Sequence, residues 1–390
     1  MECSRRAFLA ASAGVLAAGG MTARAQETAP KLRVCVIGDT KMGGYGHGLH
    51  LAWAHRDDIE IVGLADPDEA GRLEHAAAAN AQRAYADYRE MLGKEKPDVV
   101  TIAPRCTVRH AEYLLAAAEC GAHGFMEKPM AVDLAEADAM VQAIEAKGLK
   151  WAMAFNWHTV PLIEHARRLV VEERLIGDLL EMRARGKEDH RSGAEDLIVL
   201  GVHVFDLMRF FAGDPQWCMA DIEVEHRPAT LTDVKEATEP LGPIMGDTVH
   251  AMYGFANGVR GYFASARNTE GGGGRWGVDL YGTQGVVVIR CEPRRGAQAR
   301  LFRDPSWSPS IGEVAKDTLP DAPAPMPEQT PRYGAIVDDL VAAIREDRLP
   351  KVSLQDGRAA HEMVQGVFAA HLRGCRAGLP LAERKHPLRS

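Results

Sequence analysis

The sequence predicts an α/β chain of two domains: a doubly wound parallel sheet, then an α+β domain with a large open, mostly antiparallel sheet. Three observations predict it. Short apolar runs alternate with amphipathic helical stretches from Leu32 to Phe155, the alternation that builds parallel sheets through right-handed crossovers. The first run ends in a glycine-rich turn and the second in an acid. Beyond Asp214 the texture changes to alternating, aromatic segments separated by turn residues. With 390 residues there is room for two cores.

The chain opens on an address rather than a fold. Ser4-Arg5-Arg6-Ala7-Phe8-Leu9 precedes an Ala-rich, weakly apolar run to Met21, and Ala23-Arg24-Ala25 offers a small-x-small cleavage site before Gln26. Residues 1–25 therefore read as a leader that resembles a twin-arginine (Tat) signal, with a Sec signal as the alternative, and a periplasmic location is expected. The run is too short and too poor in large apolar residues to span a bilayer, so no membrane anchor is expected. The formal net charge is −8, and removing the leader's three arginines and one glutamate leaves about −10. That balance disfavours nucleic acid or an anionic membrane as partner. Cys35, Cys106, Cys120, Cys218, Cys291 and Cys375 have no C-x-x-C spacing, which suggests neither a metal site nor a disulfide framework.

Residues 31–155 form the first predicted domain. Leu32 to Ile37 is an apolar strand running straight into Gly38. The fingerprint that follows is irregular, with Thr40 where G-x-G-x-x-G has glycine, then Gly43, Gly44, Gly46 and Gly48. Backbone N–H groups around Gly38, Thr40, Gly43 and Gly46 are expected to meet a pyrophosphate at the start of the next helix. His47 and His50 fall in that helix's first turn, as capping or packing residues. Asp66, closing a second strand from Ile59 to Ala65, is placed to accept hydrogen bonds from ribose hydroxyls and to repel a 2′-phosphate, which favours NAD over NADP. Helix, link and helix follow from Pro67 to Met91. A buried strand from Asp98 ends at Pro104, a helix runs from Val108 to Cys120, and a strand from His123 to Met126 leads into Glu127-Lys128-Pro129. A helix from Ala131 to Lys147, with Asp133 as N-cap, and a strand from Trp151 to Phe155 complete the domain.

Glu127-Lys128-Pro129 stands at a strand's carboxyl end, where open α/β sheets keep their ligands. In this setting the chain resembles the glucose-fructose oxidoreductase / inositol dehydrogenase (Gfo/Idh/MocA) family, whose members carry Glu-Lys-Pro after the fifth strand of a Rossmann domain. The resemblance spans roughly residues 31 to 388. It implies that Lys128 reaches the reacting carbon beside the nicotinamide and that Glu127 and Pro104 help to position the cofactor. It also implies that the turn Asn156-Trp157-His158 lines the substrate site. A lysine suits that chemistry, since it can donate to a developing alkoxide, or accept a proton if burial lowers its pKa.

Residues 156–388 form the second predicted domain, with helix Pro161–Glu173, strand Asp178–Arg185 and a helix through Gly193 to Asp206. The family pattern places an aspartate four residues before a histidine on that helix. His203 matches, but the aspartate's position holds Val199, and Asp196, seven residues before His203, is the nearest substitute on the same face. Segments Ala220–Arg227, Thr248–Phe255, Gly261–Ala266, Trp276–Tyr281 and Gly285–Arg290 read as strands, with a hairpin at Asn257-Gly258 and a glycine loop over Gly271–Gly274. A proline-rich connection from Pro320 to Pro331 and helices Tyr333–Glu346 and Leu354–Leu372 finish the chain.

The resulting expectation is a periplasmic, NAD-dependent oxidoreductase acting on a sugar, cyclitol or glycoside hydroxyl. The cofactor would be tightly held, and a homo-oligomer would form through the second sheet. The catalytic set is Lys128, His203 and Asp196, and no metal is expected. Two alternatives stand beside it. One is a redox-balanced glycoside lyase or hydrolase working by transient oxidation; the other is an inactive sugar-binding protein on the same fold, suggested by Val199.

Overall fold

The computed structural model describes residues 30–266, 274–292, 296–307, 317–325 and 331–389. The leader of residues 1–25, most of the glycine loop and part of the proline-rich connection lie outside them. The first sheet is built from β1 (Leu32–Ile37), β2 (Ile59–Ala65), β3 (Ala84–Tyr85), β4 (Val99–Ile102), β5 (His123–Met126) and β6 (Trp151–Met153). All are parallel, in the order β3-β2-β1-β4-β5-β6. The reversal of strand order beside β1 opens a crevice at the strands' carboxyl ends. Helices α1 (Glu69–Ala78), α2 (Tyr88–Glu95), α3 (His110–Glu119) and α4 (Leu134–Glu145) make the crossovers. Asp68, Asp87 and Asp133 cap α1, α2 and α4 through their side chains, satisfying backbone N–H groups the helices leave unpaired.

The helix expected after the phosphate loop does not form. Gly43, Gly44, Gly46 and Gly48 all adopt positive φ, from 61° to 95°, and carry the chain through consecutive turns. Only a short 3₁₀ turn, Leu49–Leu51, follows. The N–H groups of Asp39, Thr40, Met42, Gly44 and Gly48 are bonded within this turn or to Asp66, so no helix dipole follows the loop here.

The second half begins with α5 (Pro161–Arg167), continued by a π turn at Arg168–Glu172, and β7 (Leu179–Arg185). The expected single helix over Gly193–Asp206 is three pieces: α6 (Ala194–Asp196), a π turn at Leu197–Gly201 and α7 (Val202–Ala212). Then come β8 (Pro215–Val224), β9 (Arg227–Pro228), the small hairpin β10 (Lys235–Glu236) and β11 (Pro243–Ile244), β12 (Thr248–Phe255), β13 (Arg260–Ser265), β14 (Gly277–Gly282), β15 (Gly285–Glu292), β16 (Gly296–Phe302) and β17 (Asp317–Thr318). Helices α8 (Gly334–Glu346) and α9 (Leu354–Arg373) precede β18 (Ala377–Gly378).

Ten of these strands form one sheet in the order β17-β16-β15-β14-β7-β13-β12-β8-β18, with β9 beside β8. Only β7 and β13 pair in parallel. Helices α7 and α9 cover one face. Phe205 of α7 packs 5.4 Å from Tyr253 and 5.0 Å from Phe263, ring centre to ring centre, and the Tyr253 hydroxyl donates to Met363 O of α9 at 3.0 Å. Burying each such aromatic contributes about 1.5–3 kcal/mol. Thus α7 is anchored on the sheet by Phe205 while His203 projects elsewhere. Lys31–Ser390 forms one compact unit, and none of its described helices is long and apolar enough to cross a membrane.

Candidate active site

The phosphate loop lies flat on the ends of β4 and β5, and that contact dictates its glycines. A Cβ on Gly43 would stand 2.5 Å from Arg105 N, and one on Gly46 would stand 2.4 Å from Glu127 Oε2. The loop's other anchor is Asp66. Its buried carboxylate accepts from Thr40 N (3.0 Å), Thr40 Oγ1 (2.6 Å), the Tyr45 hydroxyl (2.9 Å) and Asp68 N (2.9 Å). Asp66 is therefore at the expected strand end, but its Oδ2 is taken by three donors of the loop while Oδ1 carries one bond, from Asp68 N, and Thr40 holds Asp66 rather than facing the crevice. Tyr45, packed over Gly38 and against His50 and His75, closes the gap between β1 and β2.

At the carboxyl end of β5, Glu127 and Lys128 are both buried, at 0% and 2% exposure. Neither carboxyl oxygen of Glu127 has a partner among the described residues. Burial pushes that carboxyl up, against the lowering effect of Lys128, Arg332 and Arg105. Lys128 Nζ lies 3.9 Å from Glu127 Oε1 and donates to the carbonyl oxygen of Val199 at 3.3 Å. Burial lowers the lysine's pKa, and nearby Arg191 and Arg105 add to that effect while Glu127 and Glu239 oppose it. Pro104 sits at the end of β4, where its carbonyl oxygen is 2.7 Å from His110 Nε2. The same ring's Nδ1 is 2.9 Å from Pro129 O. His110 thereby wedges the two strand ends at a fixed separation, a role the sequence reading did not assign to it.

His203 lies on α7, one turn beyond Val199, and is 4% exposed. Its Nδ1 is buried, with no hydrogen-bond partner among the described residues. Burial first, then the charges of Lys128, Arg332 and His47, hold its pKa well below 6.5, so the ring is neutral and able to accept a proton. It is framed by Phe155 at 5.7 Å and Trp276 at 5.8 Å. Trp157 packs edge-on against Trp276 at 5.5 Å, and both indole N–H groups, like Asn156 Oδ1, lack partners among the described residues. Trp157 is thus joined to His203 through Trp276, a residue that the sequence did not single out for the site. Its place there depends on a strand pairing far along the chain.

Two expected site residues are elsewhere. The π turn at Leu197–Gly201 closes i→i+5 rather than i→i+4, so residues seven apart no longer share a face. Asp196 consequently turns to Ser265 Oγ (2.6 Å), Glu188 N (3.0 Å) and Lys187 N (3.2 Å), which makes it an anchor for the 186–188 turn and gives it no hydrogen bond to His203. His158 faces away from the pocket, with its Nδ1 3.2 Å from Asp206 Oδ2, in a separate depression lined also by Arg167, Arg209, Phe210 and Asp356. Conversely His47, set aside as a capping residue, lies at the crevice mouth among the charges of Lys128, Arg332, Arg105 and Arg191. Burial and those charges together lower its pKa. The signal available in sequence was its position between two glycines.

The buried lysine, the neutral histidine and the glycine loop meet at the end of a parallel sheet. Residues 32–155 match the model of the oxidoreductase family with the NAD-binding Rossmann fold, and residues 164–288 match the GFO/IDH/MocA C-terminal domain. The chain belongs to the Gfo/Idh/MocA family. Among curated relatives, levoglucosan dehydrogenase of Pseudarthrobacter phenanthrenivorans is 28% identical over 269 residues, 63% of this chain and 68% of that protein. D-apiose dehydrogenase of Paraburkholderia graminis is 31% identical over 184 residues, 44% of this chain and 48% of that one. A levoglucosan dehydrogenase solved in complex with NADH shares 25% identity at a TM-score of 0.70, covering 90% of this chain and 100% of that chain.

As a Gfo/Idh/MocA member the chain is an NAD-binding oxidoreductase, and its residues fit that cofactor at the nicotinamide end. Gly46 lies so close to Glu127 and Ala103 that no Cβ fits between them, and the Glu127 carboxyl has no hydrogen-bond partner among the described residues, which leaves it free to accept from a bound cofactor. At the adenosine end, a ribose hydroxyl can bond Asp66 Oδ2 by exchanging with Thr40 or Tyr45, whereas Oδ1 accepts only from Asp68 N. Among the described residues no group of His, Cys, Asp and Glu side chains could hold a metal.

Proposed function

We propose that this protein oxidises a hydroxyl of a sugar, cyclitol or glycoside, with NAD held between turnovers and preferred to NADP. The observation that carries the reading is a set of buried polar atoms with no hydrogen-bond partner among the described residues, His203 Nδ1, Asn156 Oδ1, the Trp157 and Trp276 indoles and the Glu127 carboxyl, with His203, Trp276 and Trp157 in ring contact. Buried polar atoms are rarely left unpaired, and this set suits a hydroxylated ligand lying against aromatic faces. His203 Nδ1 accepts the proton of the reacting hydroxyl, while Lys128 Nζ donates to the oxygen as negative charge builds there. Each contributes of order 10²–10⁴ in rate. Trp157 and Trp276 exclude water from that oxygen. Bound NAD supplies the hydride acceptor.

The leader supports export of the folded protein to the periplasm, where a retained cofactor suits a site that rebalances its own redox state. The outer face of the ten-stranded sheet carries a groove of about 530 Å³ lined in part by Met219, Met252 and Tyr262, which supports pairing of copies there. The test is the absorbance of the purified protein near the reduced-nicotinamide band, followed through a panel of sugars, cyclitols and glycosides. A band that appears and persists supports simple oxidation. One that appears and decays without a second sugar replaces it with the lytic cycle, and no band with any ligand sinks the reading.

A further inference from the structure

Two arginines near Glu127 and His47 keep side-chain N–H donors that nothing among the described residues accepts from. Arg105, just past β4, donates its backbone N–H to Gly43 O at 3.2 Å, which fixes it against the phosphate loop. Its Nε is buried with no partner, and its Nη1 stops 3.7 Å from Glu239 Oε2, beyond hydrogen-bonding distance. No group among the described residues accepts from any of its side-chain N–H donors. Glu239 is committed elsewhere: Oε1 takes Arg191 Nη1 at 3.0 Å, and Arg191 also holds Asp189 with two further bonds of 2.7 and 3.1 Å. Arg332, before α8, is exposed and lies 5.5 Å from the Tyr333 ring centre, with no ion pair or hydrogen bond among the described residues. Both arginines act electrostatically on Glu127 and on His47, and Arg332 acts on His203 as well, so they belong to the reacting end of the crevice. Glu239 is the carboxylate closest to Arg105, and burial pushes the neighbouring Glu127 carboxyl towards its neutral form. The result is a group of cations, only partly offset by Glu239, with open guanidinium donors beside the reacting end of the crevice.

A half-buried guanidinium without acceptors costs free energy that a ligand oxyanion would recover. Its planar fork matches a carboxylate with two parallel bonds. We infer that the substrate is an acidic sugar, an aldonate or uronate, whose carboxylate sits on Arg105 and Arg332 while its hydroxyl meets His203 and Lys128. This rests on the sugar-oxidoreductase reading and narrows it. The same donors could instead hold cofactor phosphates, and the experiment separates the two sources.

Matched neutral and acidic sugars, glucose against gluconate and glucuronate and galactose against galacturonate, are titrated into the NAD-loaded protein. Binding is read by quenching of tryptophan fluorescence and turnover by absorbance. The acid of at least one pair is expected to bind about tenfold more tightly than its neutral partner, with that advantage shrinking at high salt. Arg105→Gln and Arg332→Gln are each expected to remove most of the advantage, and a separate titration reads their NAD affinity. Equal binding of every pair in the wild-type protein overturns the inference without need of a variant. So does a loss in the variants that falls on NAD alike with every sugar, which assigns the arginines to cofactor phosphates. Failure of all sugars to give reduced nicotinamide sinks the oxidoreductase reading, while the fluorescence comparison still decides this one.

Discussion

Lys128 Nζ donates to the backbone carbonyl of Val199 at 3.3 Å, so the lysine reaches the point on the helix where the family pattern puts an aspartate and finds a neutral acceptor. With a carboxylate there the amine would have a full counter-charge. Instead its closest anionic group is Glu127 Oε1 at 3.9 Å, a carboxyl that burial drives towards neutrality. Val199→Asp should therefore raise the lysine's pKa and move the alkaline limb of the kcat profile to higher pH. Val199 is 3% exposed, so burying the new carboxyl should also cost about 1–3 kcal/mol of stability. A limb that stays in place would mean that Lys128 does not set it.

The wild-type profile has its own sign. His203 must be neutral to accept a proton, and its pKa lies well below 6.5, so activity should persist below the pH at which an ordinary histidine would lose it. Lys128 must be protonated to donate, and its pKa is lowered from 10.5, so activity should fall at alkaline pH earlier than an ordinary lysine would dictate. Lys128→Met should abolish the alkaline limb and His203→Ala the acid limb, each with a loss of order 10²-fold in kcat. Near-wild-type turnover of Lys128→Met on the true substrate would falsify the mechanism.

Asp196→Asn distinguishes an anchor from a catalyst. The carboxylate accepts from Ser265 Oγ, Glu188 N and Lys187 N, and an amide there must turn an NH₂ towards at least one donor. The expected outcome is a stability loss of about 1–3 kcal/mol, seen as a lower midpoint in denaturant, with kcat of the folded protein reduced far less than by His203→Ala. A kcat loss as large as that variant's, at unchanged stability, would restore Asp196 to the catalytic set.

What could be read in advance followed from local pattern. Leu32–Ile37, Ile59–Ala65 and His123–Met126 are apolar runs bounded by turn residues, and their limits came out as strands. Asp133 announced its cap because a side-chain acceptor before an apolar period has one obvious use. The phosphate loop misled because five glycines resemble a fingerprint, yet four of them hold positive φ and leave no helix behind them. Asp196 misled because helical spacing assumes i→i+4 closure, and no residue type marks a π turn. Trp276, Arg105 and Arg332 escaped notice for a different reason: each enters the site through tertiary contact with elements remote in sequence.

Tyr45 stands in the way of the ribose. Its hydroxyl and that of Thr40 share Asp66 Oδ2, at 2.9 and 2.6 Å, so a ribose hydroxyl that bonds this oxygen must displace one of them. Tyr45→Phe removes the competitor and should tighten NAD binding by about two- to tenfold. Asp66→Ser should lower discrimination against NADP and also weaken NAD binding, since the loop loses its anchor. Titration of cofactor into stripped protein checks both. Unchanged affinity in Tyr45→Phe would place the ribose contact on another residue.

His158 gives a prediction about pH and stability with a definite sign. Burial works against its charged form, but the charge and hydrogen bond of Asp206, helped by Asp356, outweigh burial and Arg209 and leave its pKa raised above 6.5. Arg167 and Phe210 complete its surroundings, the ring of Phe210 standing 4.0 Å from the imidazole. A group whose folded pKa is raised stabilises fully below its unfolded value, and that contribution drains away as pH climbs through the folded value. The wild-type protein should therefore lose part of its stability as pH rises above 6.5. His158→Gln should be less stable by about 2 kcal/mol below that pH and approach the wild type above it. Because His158 adjoins Trp157, the variant should also raise KM for the sugar more than it lowers kcat. Denaturant midpoints of the two proteins across that pH range make the check, and parallel curves would show that the His158–Asp206 pair carries no charge.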